Sequence, residues 1–209
     1  MPNRKNVFNF NEHLQNNFWI YIISLLCIFT GVVLGIYAVK YMGTIENESI
    51  SNYLSNFAQN ITDGNFQYKV MFSGILKNNL PLIIAIWFLG LTMVGLPIIL
   101  IIDVMKGFTL GFALSFLIKA FGPKGISIAL LGLLPQNIVY VACILFSSVI
   151  AMEFSLSFLK DKISNKWTTS IWMKLVSYSF VFGAIFVVMC FGFLFETYVT
   201  PNLVKFIMA

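Results

Sequence analysis

The chain has 209 residues, of which 59% are hydrophobic, 16% aromatic and only 10% charged, against about 25% charged in an ordinary soluble domain. With a mean hydropathy of +0.88 it has too few polar groups to cover its own surface in water, which excludes a disordered tail, a collagen-like fibre and a small disulfide-stapled scaffold. The net charge of +5 is spread along the chain; it suits anionic membrane lipid and forms no stripe for nucleic acid. The expected fold is therefore all-α, a polytopic membrane bundle of about five transmembrane helices with amphipathic interfacial helices.

The first apolar stretch, 18–39, ends at Lys40. It is long enough to span and is expected to stay as an anchor, because Tyr37-Ala38-Val39-Lys40 lacks a small-x-small cleavage pattern. Residues 40–79 follow as an extracytoplasmic amphipathic segment. Ile50, Tyr53, Leu54, Phe57, Ala58 and Ile61 recur at helical spacing, Asp63-Gly64-Asn65 marks a turn, and a second pattern runs from Phe66 to Leu76. These helices either shield the bundle end or dock a partner; in the second case Ile50, Tyr53 and Phe57 are the contact residues.

The second expected span is 80–102, bounded by Asp103, and the third is 104–121, which is short. The third either crosses as a thin span, with Lys106 snorkelling, or re-enters among its neighbours. The fourth, 126–150, carries no charge. A cytoplasmic loop, 153–174, holds four Lys together with Trp167 and Trp172 as surface anchors, and the fifth span is 175–195. Basic residues divide almost evenly between the two sides. Orientation rests on the two densest groups, Arg4-Lys5 and Lys160–Lys174, both expected inside. That places the N-terminus in the cytoplasm and the C-terminus outside.

Chemical machinery is sparse. His13 is the one histidine, so neither HExxH zinc chemistry nor Ser–His nucleophilic catalysis has its parts. Asp103 and Glu153 sit at expected span ends, not mid-membrane, and no phosphate-binding glycine loop occurs. Cys27, Cys143 and Cys190 lie in apolar runs without a CxxC partner and are expected to be buried, inert thiols. No enzyme activity, cofactor or metal is expected. Asp103 and Lys106 should pair across the turn between spans two and three.

Helix interruptions remain. Gly90, Gly95 and Pro97 break the second span; Gly132 and Pro135, followed by Gln136 and Asn137, break the fourth. Such breaks are either kinks repaired by neighbours or the mark of a transport site. Gln136 and Asn137 act either as interhelical glue or as part of a pocket or partner site. Gly31/Gly35 and Gly107/Gly111 form two GxxxG patterns, serving close packing within the bundle or dimerisation into a homo-oligomer.

The run FSGILKNNLPLIIAIWFLGLTMVGLPIILIIDVMKGFTLGF (72–112), followed by LLGLLPQNIVYVACILF (130–146), resembles stage II sporulation protein M of endospore-forming bacteria. Asn78-Asn79 before Pro81, Gly95 with Pro97, the turn at Lys106-Gly107, and Pro135-Gln136-Asn137 carry the resemblance. It implies a multispanning cell-membrane protein of the sporulation septum and mother-cell membrane, active in engulfment. Its implied partners are stage II sporulation proteins D and P, peptidoglycan hydrolases that it anchors and localises as a non-enzymatic scaffold. A small-molecule permease or channel with a path near Pro97 and Pro135 is the alternative. An intramembrane hydrolase would need catalytic groups from a partner.

Overall fold

The structure, a computed structural model, describes residues 15, 17–43, 46, 48–50, 52, 56, 59, 67–92, 94–163 and 170–208. Among them the elements are α1 (Phe18–Tyr41), α2 (Tyr68–Gly90), α3 (Gly95–Ser127), a π-helical segment (Ile128–Leu133), α4 (Leu134–Ile163) and α5 (Ser170–Met208), with no strand. The fold is an all-α polytopic membrane bundle. Among the described residues four helical stretches are long and apolar enough to cross a membrane: Phe18–Tyr41, Tyr68–Gly90, Gly95–Leu159 and Trp172–Ile207.

The third of these spans 65 residues. Straight, it would reach about 98 Å, roughly three times the hydrocarbon core. It is instead folded in two at Gly122, whose φ of 56° and ψ of −129° lie near the first central position of a type II′ turn. Only glycine enters that region without strain, and the Pro123 ring fixes the negative φ that the next position needs. The reversal brings a Cβ built on Gly125 within 2.1 Å of the Leu117 carbonyl oxygen; in a straight helix those positions lie about 12 Å apart. The described residues therefore form five rods.

This part of the chain is divided differently from the sequence expectation. The stretch 80–102 is not one span. Leu91, Thr92 and Val94 are non-helical, with residues 80–90 ending α2 and residues 95–102 beginning α3. Tyr68–Asn79, expected at the interface, form the first half of α2, and the third rod is no longer short because it starts at Gly95. Pro97 is exposed in the first turn of α3, where a missing N–H costs nothing. It therefore marks a helix start, not a broken span. A break is hard to see when the residues between the helices carry neither Gly, Pro nor a charge.

Contacts give the rod directions. Ser24 meets Asp103, and Val39 meets Lys119, so α1 and α3 run parallel. Tyr140 packs on Phe193, and Phe154 on Tyr178; Tyr68 stacks on Tyr198, and Trp87 reaches Ser179. Thus α5 is antiparallel to both α2 and α4. Ile83, Ile86, Ile99, Ile144, Met189 and Phe193 form the dry centre of the bundle, while Leu26, Phe29, Phe88, Ile101, Phe180 and Phe191 point outward, as lipid-facing side chains do.

On α1 the buried positions are Ser24, Ile28, Gly31, Gly35 and Val39, one stripe at helical spacing. Three of its five residues, Ser24, Gly31 and Gly35, are small, and α3 presses on them. A Cβ on Gly31 would meet the Val104 carbonyl oxygen, and one on Gly35 that of Phe108. In return, Gly107 and Gly111 face the carbonyls of Ile28 and Val32. Both GxxxG patterns are thus used within the chain, each opposite the other. Lipid supplies no hydrophobic drive between helices, so this close backbone approach carries the association.

Replacing Gly107 with Leu should therefore force α1 from α3 and lower stability by about 1–3 kcal/mol. Gly183→Ala, where an added Cβ meets nothing within 4 Å, should change it by less than about 0.5 kcal/mol. Thermal unfolding midpoints in detergent measure both.

Candidate functional site

Polar side chains form a ladder inside the bundle, ordered along α3 from its Gly95 end. At that end Ser155 Oγ donates to the Thr92 carbonyl (2.8 Å) and Tyr178 OH to the Trp87 carbonyl (2.9 Å). The next rung is Asp103, with 0% exposure. Its Oδ1 accepts from Ser148 Oγ of α4 at 2.6 Å, and its Oδ2 accepts from Ser24 Oγ of α1. One carboxylate thus ties three helices together.

One helical turn further, Lys106 Nζ donates to Asn79 Oδ1 of α2 at 3.1 Å and lies 5.4 Å from the Tyr140 ring centroid. Tyr140 OH donates to Glu196 Oε2 of α5 at 2.7 Å, and the Lys106 and Glu196 charges lie within electrostatic reach of each other. This rung joins α2, α3, α4 and α5. Asn79 is held in place by its own bond to the Ile75 carbonyl (3.0 Å).

The fourth rung surrounds Pro135. A proline mid-helix removes a donor and crowds the carbonyl four residues back, and the helix widens to π over Ile128–Leu133 just before it. Side chains bond the carbonyls of this segment. Thr200 Oγ1 donates to the Gly132 carbonyl (3.1 Å), and Asn137 Nδ2 to the Leu133 carbonyl (2.9 Å). Thr200 also reaches Gln136 Oε1 at 3.3 Å, so Gln136 bridges α4 and α5 while Asn137 bonds within its own helix. Beyond it, Lys119 Nζ donates to the Val39 carbonyl of α1 (3.1 Å).

The residues singled out from sequence separate accordingly. Asn79, Asp103, Lys106 and Gln136 enter the ladder. Gly107 and Gly111 make the α1 contact, and Gly95 is packed against the Leu89 carbonyl. Asn78 and Pro81 are exposed on α2. Ile50 is helical and half-buried; Tyr53 and Phe57 lie outside the described residues.

Two expectations are corrected. Asp103 and Lys106 do not pair across a turn; they lie inside α3 and bond to different helices. Carboxylates are not confined to span ends, since Asp103 and Glu196 sit within helices that continue past them. Of the thiols, Cys143 alone is buried, with Cys27 and Cys190 half-buried. Among the described residues no three His, Cys, Asp or Glu side chains cluster as a metal site would require.

Sequence reasoning missed Glu196, Tyr140, Ser24 and Ser148. Ending the second span at residue 102 and the fifth at residue 195 puts Asp103 and Glu196 at span ends by construction. The signal was the apolar pattern resuming after the carboxylate, in Tyr198, Val199, Leu203 and Val204 beyond Glu196.

These features define a polytopic helical membrane protein whose charged interior is bonded to itself across helices. The chain belongs to the stage II sporulation protein M family, whose model matches residues 24–201, from α1 into α5. It is therefore a sporulation-related membrane protein. No curated protein and no solved structure matches it.

Lys106 and Glu196 are half-buried, and removing one leaves the other without its partner at membrane depth, at a cost of about 1–3 kcal/mol. Glu196→Leu alone should therefore destabilise the protein more than Glu196→Leu combined with Lys106→Met. Asp103→Leu, which strands two hydroxyls, should cost about 1–3 kcal/mol. A double-mutant cycle on unfolding midpoints in detergent measures the coupling.

Proposed function

We propose that the protein is a non-enzymatic membrane scaffold that holds the peptidoglycan hydrolases of its family's engulfment machinery, stage II sporulation proteins D and P, at the septum. The observation that carries this reading is the self-bonded interior. Asp103, Lys106 and Glu196 are each engaged by another helix of the same chain, so these charges serve to lock the rods together and the outer surfaces are left for partners. In this reading the N-terminus is cytoplasmic, the C-terminus is extracytoplasmic, and the segment around Ile50, Tyr53 and Phe57 meets the hydrolases outside.

One specific observation favours a second reading. Ionisable groups at membrane depth often mark ion or proton paths, and Asp103, Lys106 and Glu196 follow one another along a single bundle with the Pro135 break beyond. A permease or channel would use that line. Pro97 no longer contributes to it.

Substitution of the interior separates the two. For a scaffold, Lys106→Met with Glu196→Leu leaves capture of both hydrolases intact wherever the bundle still folds, and Ile50→Asp with Tyr53→Asp and Phe57→Asp releases them. For a permease, the interior variant abolishes solute or proton flux into proteoliposomes, while the surface variant leaves it unchanged. Co-purification from sporulating cells and flux measurements read the outcome. Digestion of cell-wall sacculi by the purified protein alone would overturn the non-enzymatic assignment.

A further inference from the structure

The middle rungs of the ladder hold two carboxylates, Asp103 and Glu196, and one amine, Lys106. The Lys106 and Glu196 charges lie within reach of each other, and the Lys106 ammonium is turned to Asn79 and the Tyr140 ring. Asp103 forms no ion pair among the described residues; its partners are the neutral hydroxyls of Ser148 and Ser24. With all three groups ionised, these rungs carry one negative charge too many. Asp103 has 0% exposure, so water does not supply the balance. The oxygens around it have electron pairs to spare. A hydroxyl has one hydrogen and two lone pairs, and Ser24 and Ser148 each direct the hydrogen at Asp103. Next to Ser148 along α4, Ser147 is also fully buried, and its Oγ has no hydrogen-bond partner among the described residues.

We infer that Asp103, with the Ser24 and Ser148 hydroxyl oxygens, binds one sodium ion where α1, α3 and α4 meet. Carboxylate and hydroxyl oxygens suit a hard cation. The charge count selects a monovalent one, because a divalent ion would turn the excess negative charge into an excess positive charge at membrane depth. A transition metal would seek His or Cys ligands, and no three His, Cys, Asp or Glu side chains cluster among the described residues. The site is narrow, since Gly31 and Gly107 bring the backbones of α1 and α3 together beside it; a narrow site favours sodium over the larger potassium ion. A proton would also remove the charge. On either carboxylate oxygen, however, it would meet a hydroxyl hydrogen already directed there, and Ser24 or Ser148 would have to turn that hydrogen away. A cation takes the free lone pairs and leaves both hydrogen bonds in place. The ion then ties the same three helices that the hydrogen bonds tie. It serves a scaffold and a permease alike, so its binding is independent of both readings above.

The test uses the full chain, purified in mild detergent at neutral pH and constant ionic strength, with choline chloride replaced stepwise by sodium chloride. Binding of radioactive sodium is read by scintillation proximity, and the thermal unfolding midpoint is followed in parallel. The unaltered chain should bind one sodium ion saturably, with the midpoint rising over the same concentration range, and potassium should compete at least ten-fold less well. Asp103→Asn, which keeps the side-chain shape and removes the charge, should abolish saturable binding. Ser24→Ala and Ser148→Ala should each raise the sodium concentration for half-saturation at least ten-fold. Val33→Ala, on the outward face of α1, should leave it unchanged. Absence of saturable sodium binding by the unaltered chain overturns the inference and requires no variant to fold. Equal competition by potassium overturns it too, as does binding that persists in folded Asp103→Asn. A midpoint that rises on acidification and ignores sodium assigns the balancing charge to a proton and likewise overturns it.

Discussion

A charge carried to membrane depth has no water to turn to and must be matched by another part of the protein. That constraint organises this bundle. Asp103 reaches α1 and α4; Lys106 reaches α2; Tyr140 and Glu196 join α4 to α5. An apolar seam alone would tolerate sliding or rotation of one rod against another, because one lipid-like surface substitutes readily for the next. Hydrogen bonds to a single carboxylate or ammonium group do not tolerate it. The polar rungs therefore set register, and the apolar side chains between them fill the space that the register leaves.

The α1–α3 contact works under the same constraint by a complementary route. Here the backbones approach closely over Gly31, Gly35, Gly107 and Gly111, gaining dispersion contacts that lipid chains would otherwise make. Small residues give closeness but little direction. The direction comes from either end of the stripe, where Ser24 bonds to Asp103 and Lys119 to the Val39 carbonyl. The first rod is thus held along one narrow face and shows lipid-facing side chains over the remainder.

An interior bonded in this way leaves the protein's dealings with other molecules to its outside. On the scaffold reading proposed above, it is the outer surface of the bundle that partners meet. The outer helices are held by the same kind of contact: Tyr178 of α5 is anchored to α2 through the Trp87 carbonyl, and Tyr140 of α4 to α5 through Glu196. The central lock and the outer surface are mechanically one object.

Composition and run length sufficed for an all-α membrane bundle, the residues of 72–112 and 130–146 carried the family resemblance, and spacing singled out the paired glycines and the Pro135 region. These are local properties, since hydropathy, helical spacing and the missing N–H of proline act within a few residues of chain. The division of 80–102 into two helices, the reversal at Gly122, and the entry of Asp103 and Glu196 into the interior were not legible, because each depends on groups far away in sequence. A carboxylate flanked by apolar residues reads as the end of a span until Ser24 and Ser148, 79 and 45 positions away, are found bonded to it. Whether a charge lies in oil or in water is decided by its partners, and only the tertiary structure brings partners from different helices together.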